Sequence, residues 1–168
     1  MSAIDELLAN NQAFADSQPA DGLGAEPTLH LAVVTCMDCR LDVYAMLGLR
    51  VGEAHILRNA GGVVTDDVLR SLTISQRRLG TRAVMLIHHT RCGMLTLTDD
   101  GFRAELLQET GMTPAFAIES FPHLEEDVRQ SIHRVLHCPF LPHPLNVRGF
   151  IYDVDTGELR EIFLDDEP

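Results

Sequence analysis

Basic residues are scarce in this chain. Lys plus Arg number 13 against 25 Asp plus Glu, a formal net charge of −12. A surface this acidic excludes nucleic acid and anionic membrane as main partners. No apolar run approaches the roughly 20 residues that span a bilayer, so no membrane segment is expected. The opening "MSAIDELLANNQ" has neither a basic n-region nor an apolar h-region and does not read as a secretory signal. Internal repeats and low-complexity tracts are missing, and so is tryptophan. Only four cysteines are present; in a chain that reads as cytoplasmic they favour metal binding or catalysis over a disulfide framework. What is there in quantity is apolar: 45% of 168 residues, enough for one domain with a real core.

Residues 3–15, "AIDELLANNQAFA", read as an amphipathic helix, with a Gly/Pro-containing linker, "QPADGLGAEP", behind it. This helix stands outside the main pattern, and could pack on a neighbouring subunit or cover its own core. From there strands and helices alternate. "LHLAVVT" (29–35), "AHILRN" (54–59) and "AVMLIHH" (83–89) have strand length and composition. Between and after them, helices are expected over 41–49, 65–80, about 97–109 and 120–137. Thr65 caps the second of these and Ser120 the last, whose buried stripe is Leu124, Val128, Ile132, Val135 and Leu136. "NVRGFIYDVD" and "ELREIFL", on either side of a "DTG" turn, read as an antiparallel hairpin. The order predicts an α/β fold: a mainly parallel central sheet flanked by helices, a C-terminal antiparallel hairpin and an N-terminal helical arm. Residues 1–27 form the arm and linker, and 28–168 a single α/β domain.

In open sheets of this kind, ligands bind beyond the carboxyl ends of the strands. Cys36 follows the first strand in "TCMDCR", His89 ends the third, and Cys92 comes three residues later in "HTRCGM". "RNAGG" (58–62) leaves the second strand at the same edge. Two thiolates and an imidazole converging there suit tetrahedral zinc, and three protein ligands leave a fourth position open, as in catalytic sites. Asp38 and Arg40 read either as an ordinary loop ion pair or as part of that site. Cys138 reads as a small buried hydrophobe. His88, His123, His133, His137 and His143 are scattered and read as surface or core residues rather than ligands.

"CMDCR", "RNAGG" and "HTRCGM", in this order and at these spacings, resemble the β-class carbonic anhydrases, especially the short members. The resemblance covers roughly residues 28 to 164. It implies one zinc ion per subunit on Cys36, His89 and Cys92, a catalytic dyad of Asp38 and Arg40, and a homodimer or dimer of dimers acting on CO2 and bicarbonate. Family dimers commonly pack an N-terminal helix on the partner subunit, which favours that role for residues 3–15. Hydration of CO2 needs a hydroxide near neutral pH, which zinc provides by acidifying water. Two thiolates make the zinc a weaker acidifier than three histidines do, so Asp38 is expected to help, held ionised by Arg40. The family also has a closed form, in which the aspartate occupies the metal. Its allosteric branch uses a tryptophan-containing pocket, and the lack of tryptophan here predicts the open form, with Asp38 paired to Arg40. Asn59, Ala60 and Gly61 are expected as a backbone wall of the substrate pocket, or as a plain tight turn, and Gly93 as an N–H donor to a bound anion.

Two positions depart from the family pattern. Cys39 stands where Ser or Ala is common, and Arg91 where close relatives often carry an acid. The cation could shift the potential of the site, attract bicarbonate or point into solvent. Carbonyl sulfide and carbon disulfide hydrolases share the ligand set and are the nearest alternative. A non-catalytic zinc or thiol module built on Cys36 and Cys39 is the reading from a different class.

Overall fold

The structure, a computed structural model, describes residues 2–17 and 22–164. Of the expected linker, residues 18–21 lie outside the described residues, as do 165–168 at the end of the expected domain. Five strands form one sheet: β1 (Leu31–Cys36), β2 (Ala54–Asn59), β3 (Ala83–His89), β4 (Val147–Tyr152) and β5 (Leu159–Ile162). Their order is β2-β1-β3-β4-β5. The first four are mutually parallel, and β5 returns antiparallel to β4. Both the parallel sheet and the terminal hairpin are therefore as the alternation predicted.

The helices are α1 (Ala3–Ser17), α2 (Val43–Leu47), α3 (Asp66–Arg78), α4 (Asp99–Thr110) and α5 (Leu124–Leu136). Thr65 caps α3 by accepting from the Val68 amide, with Asp66 and Asp67 in the first turn and Arg77 and Arg78 in the last, matching the helix dipole at both ends. α2 is shorter than expected, because Asp42 caps it and Gly48 ends it in a left-handed conformation. α4 begins at Asp99 behind its cap Thr98, since Gly93–Thr96 forms a separate 3₁₀ turn.

The largest difference is α5, which starts at Leu124 and not at Ser120. Pro122 biases Phe121 away from helical geometry. Ser120 is used elsewhere: its amide and hydroxyl both donate to Asp99 Oδ1. The expected stripe is otherwise present, with Val128, Ile132 and Val135 buried. They pack with Val68 and Leu72 of α3 on one face of the sheet, against Ala32, Val34, Val84 and Leu86. α5 lies directly on β4: a Cβ at Gly149 would sit 2.5 Å from Val128 Cγ1. The opposite face is covered more thinly by Val33, Val43 and Ile87 with their neighbours. α1 has no buried residue. No described helix is long and apolar enough to cross a membrane.

Candidate metal centre

Parallel pairing brings the ends of β1 and β3 side by side, with Thr35 opposite Ile87. Cys36 is the last residue of β1 and His89 the last of β3. The chain then turns through Arg91, a non-glycine residue at φ 54°, and delivers Cys92 back to the same point. One ligand atom from each of these three buried residues lies within 4.8 Å of the others. The two sulfurs are 3.9 Å apart. The sequence therefore placed all three in one cluster correctly, and Cys36 faces Cys92. Cys39 is exposed and free.

The hydrogen bonds around the cluster prepare it for a cation. His89 Nδ1 lies 2.9 Å from the Thr90 carbonyl, which can only accept, so Nδ1 carries the hydrogen. Nε2 then presents its lone pair to the cluster, buried and with no hydrogen-bond partner among the described residues. Fixing the ring through its other nitrogen is what metal-bound histidines commonly show. Backbone amides of Asp38 and Gly61 support the Cys36 sulfur, and that of Met94 supports Cys92. The thiols hold a proton between them: the bond from Cys92 pulls the Cys36 thiol well below its usual range, and the same bond, with burial, pushes Cys92 up. A dication binding both as thiolates displaces that proton. Two soft sulfurs and an orphaned imidazole nitrogen in one buried pocket fit zinc.

Asp38 borders the cluster, with Oδ2 3.7 Å from His89 Nε2. Arg40 grips its carboxylate with a two-point fork, Nε to Oδ1 at 2.9 Å and Nη2 to Oδ2 at 2.7 Å, and adds its backbone amide at 2.9 Å. That fork, and then the amide, hold the Asp38 carboxyl far below the ordinary carboxylate range. Arg40 Nη2 also donates to the Arg91 carbonyl, at 3.1 Å, which ties the two ligand-bearing loops together. The Arg91 side chain itself turns outward to pair with Asp155 in the hairpin. A role not foreseen for Arg91 is that of its backbone, whose carbonyl accepts from Arg40 beside the cluster.

"RNAGG" turns tightly against Cys36. Gly61 and Gly62 have φ of 81° and 73°, and a Cβ on Gly62 would come within 2.9 Å of the Cys36 nitrogen. Gly61 contributes its amide to the Cys36 sulfur. Ala60, Gly61 and Gly93 line a cavity of about 400 Å³ together with Cys36, Asp38 and Cys92. Asn59 lies outside it, on a neighbouring cavity of about 650 Å³, and its Nδ2 donates to the Val63 carbonyl. The two cavities share Met37, Ala60, Met94 and Leu97, an apolar border.

Two features went unread in the sequence. Arg58 Nε donates to the Cys36 carbonyl at 2.9 Å and its Nη2 to the Asp38 carbonyl at 2.6 Å, bracing the loop that carries both residues. A cation near the carboxyl end of β2, the edge where ligands bind in such sheets, was the available signal. His88 is fully buried, with Nε2 2.5 Å from Asp127 Oδ2 on α5, so it links β3 to that helix. Strand alternation points it away from His89. Cys138 is buried among apolar residues, as expected.

Comparison with known proteins agrees with this geometry. Residues 31–116 match the family profile described as carbonic anhydrase. β-Carbonic anhydrase 1 of Mycobacterium tuberculosis is 53% identical over 162 residues, spanning 96% of this chain and 99% of that protein. The crystal structure of a carbonic anhydrase from Streptococcus mutans superposes with a TM-score of 0.90 at 43% identity, covering 97% of this chain and 99% of the other. A carbon disulfide hydrolase from Acidianus sp. is 32% identical over 78% of this chain and 76% of its own length. By sequence, by fold and by its cysteine–histidine–cysteine cluster, the chain belongs to the β-carbonic anhydrase family.

Proposed function

We propose that this chain catalyses the reversible hydration of carbon dioxide to bicarbonate and a proton, using one zinc ion per subunit held by Cys36, His89 and Cys92. The observation that carries this reading is the orphaned His89 Nε2, facing two buried thiols with an Arg-clamped carboxylate 3.7 Å away. Bound there, zinc supplies a Lewis acid that makes water a competent nucleophile near neutral pH. Asp38, kept ionised by Arg40, accepts a hydrogen bond from the reacting water and orients it. Arg58 and the Arg91 carbonyl hold the dyad in place. Because Arg40 occupies both oxygens of Asp38, the carboxylate stays off the metal, the open arrangement. Met37, Ala60, Met94 and Leu97 form a dry wall for a linear apolar substrate. The amide of Gly93 is the donor to the product anion.

The same donor set serves the hydrolysis of carbonyl sulfide or carbon disulfide. Carbon dioxide is favoured because likeness to the mycobacterial carbonic anhydrase runs at 53% over almost the whole chain, against 32% over 78% for the Acidianus hydrolase. Stopped-flow CO2 hydration, run beside H2S release from carbonyl sulfide and carbon disulfide on one zinc-loaded preparation, tests this. Rapid H2S release with negligible CO2 hydration overturns it. The working unit is a homodimer or a dimer of dimers in the cytoplasm, where both thiols stay reduced. α1 is the segment that packs on the second copy, since Ile4, Leu7, Leu8 and Phe14 are 58 to 69% exposed in the single chain.

A further inference from the structure

Outside the cysteine–histidine–cysteine cluster, metal-binding side chains pair up closely at the end of α5. His133 and His137 are four residues apart and share one face of the helix. Their ring centroids are 5.8 Å apart, with planes inclined by 30°. His137 Nδ1 lies 2.9 Å from the His133 carbonyl, so it must donate, which leaves a lone pair on Nε2 of an exposed residue. This repeats the arrangement at His89, one nitrogen tied to backbone and the other free to ligate. The ring nitrogens of His133 bond to no described residue.

We propose that His133 and His137 form a second metal site, a two-imidazole surface chelate for a borderline divalent cation such as Zn2+ or Ni2+. Imidazole is the ligand such ions prefer among nitrogen and oxygen donors. Two histidines at this spacing are the helical half of known zinc motifs. The position suits a cation, because His137 is the C-cap residue of α5, at the negative end of its dipole. Arg134, between the two histidines in sequence, does not oppose binding: Glu119 meets it at 3.0 and 3.2 Å and Asp66 at 3.5 Å. Exposed Glu126 and Gln130 lie on the same helical stripe and keep that face polar.

The site is independent of the first. α5 starts just after Phe121, which packs with Cys36 and Cys92. Neither His133 nor His137 lines the cavity of Cys36, Asp38 and Cys92, and Cys138, the next residue, packs in the main core rather than with Phe121. An ion on the two imidazoles closes a ring across the last turn of α5, which neither histidine does alone.

The test starts from protein carrying its first zinc, freed of excess metal by dialysis, and titrated with Ni2+ by calorimetry with metal analysis of the product. The wild type takes up one further ion per chain. His133→Gln and His137→Gln each weaken that uptake at least tenfold while retaining the first zinc. Glutamine preserves the helix, so loss of folding does not mimic loss of binding. Ni2+ also raises the thermal midpoint of the wild type and leaves that of either variant unmoved. Failure of the wild type to take a further ion overturns the proposal, as does uptake by either variant that equals the wild type's.

Discussion

At the residue scale the proposed chemistry depends on keeping Asp38 ionised beside the Cys36, His89 and Cys92 cluster. Its carboxyl is held below the ordinary range, mainly by the Arg40 fork, so it does not titrate between pH 4 and 8. The pH–rate profile should therefore show no limb from Asp38 near the usual carboxylate value of about 4. Asp38→Asn should lower kcat by about a hundredfold or more, the span of general acid–base contributions. Its zinc content should stay at that of the wild type. A variant that loses zinc instead would make Asp38 a structural residue. The cysteines divide differently. Cys92→Ala should lose the metal, whereas Cys39→Ser should keep metal and most activity, because Cys39 is exposed and not part of the cluster. Metal analysis of the two purified proteins checks both. The cluster was legible because strand order alone brings Cys36, His89 and Cys92 to one sheet edge. Arg58 and the Arg91 carbonyl were not, since a backbone acceptor has no side-chain signature.

At the scale of elements, caps and glycines explain where reading the sequence succeeded and where it slipped. Thr65 was a sound cap because acidic residues and an apolar stripe follow it at once. Ser120 misled because Pro122 intervenes, and only the fold shows that Asp99 claims its hydrogen-bonding groups. Gly149 carried no readable meaning inside "VRGF", yet it lets α5 approach β4, with Val128 2.5 Å and Ile132 2.8 Å from where a Cβ would stand. The same reasoning makes Gly62 a sensitive position. Its φ of 73° costs an L-residue about 1–2 kcal/mol, and a Cβ there meets the backbone at Cys36, which cannot swing aside. Gly62→Ala should thus destabilise the fold by at least that amount, read from the midpoint of denaturant unfolding, and should weaken zinc retention through the displaced Cys36. Unchanged stability would mean that the turn relaxes freely.

For the whole molecule, charge and unpartnered surface set the behaviour. The 13 Lys and Arg positions are all arginines, set against 25 acids, so none of these 13 charges is lost at any ordinary pH. The native state instead responds to acid. Asp38, Asp99 and Glu161 all titrate below their free values, through Arg40, Ser120 and Arg148 respectively. A depressed pKa gives stability that is present above the unfolded value, about 4, and is lost as pH falls toward the folded one. The thermal midpoint should accordingly fall between pH 4 and pH 2. The unpartnered surface is α1. An isolated 15-residue helix is marginal in water, and none of its residues is buried in the single chain. Ile4, Leu7, Leu8 and Phe14 fall on one helical stripe, and covering each contributes about 1.5–3 kcal/mol. That gain is realised only against another surface, and on the reading given above it is a second copy. Removing residues 1–17 should therefore shift the protein from dimer toward monomer in sedimentation, and Leu7→Asp should do so to a lesser degree with the chain intact. Identical masses for the full-length and shortened proteins would detach α1 from assembly and leave its apolar stripe to some other partner.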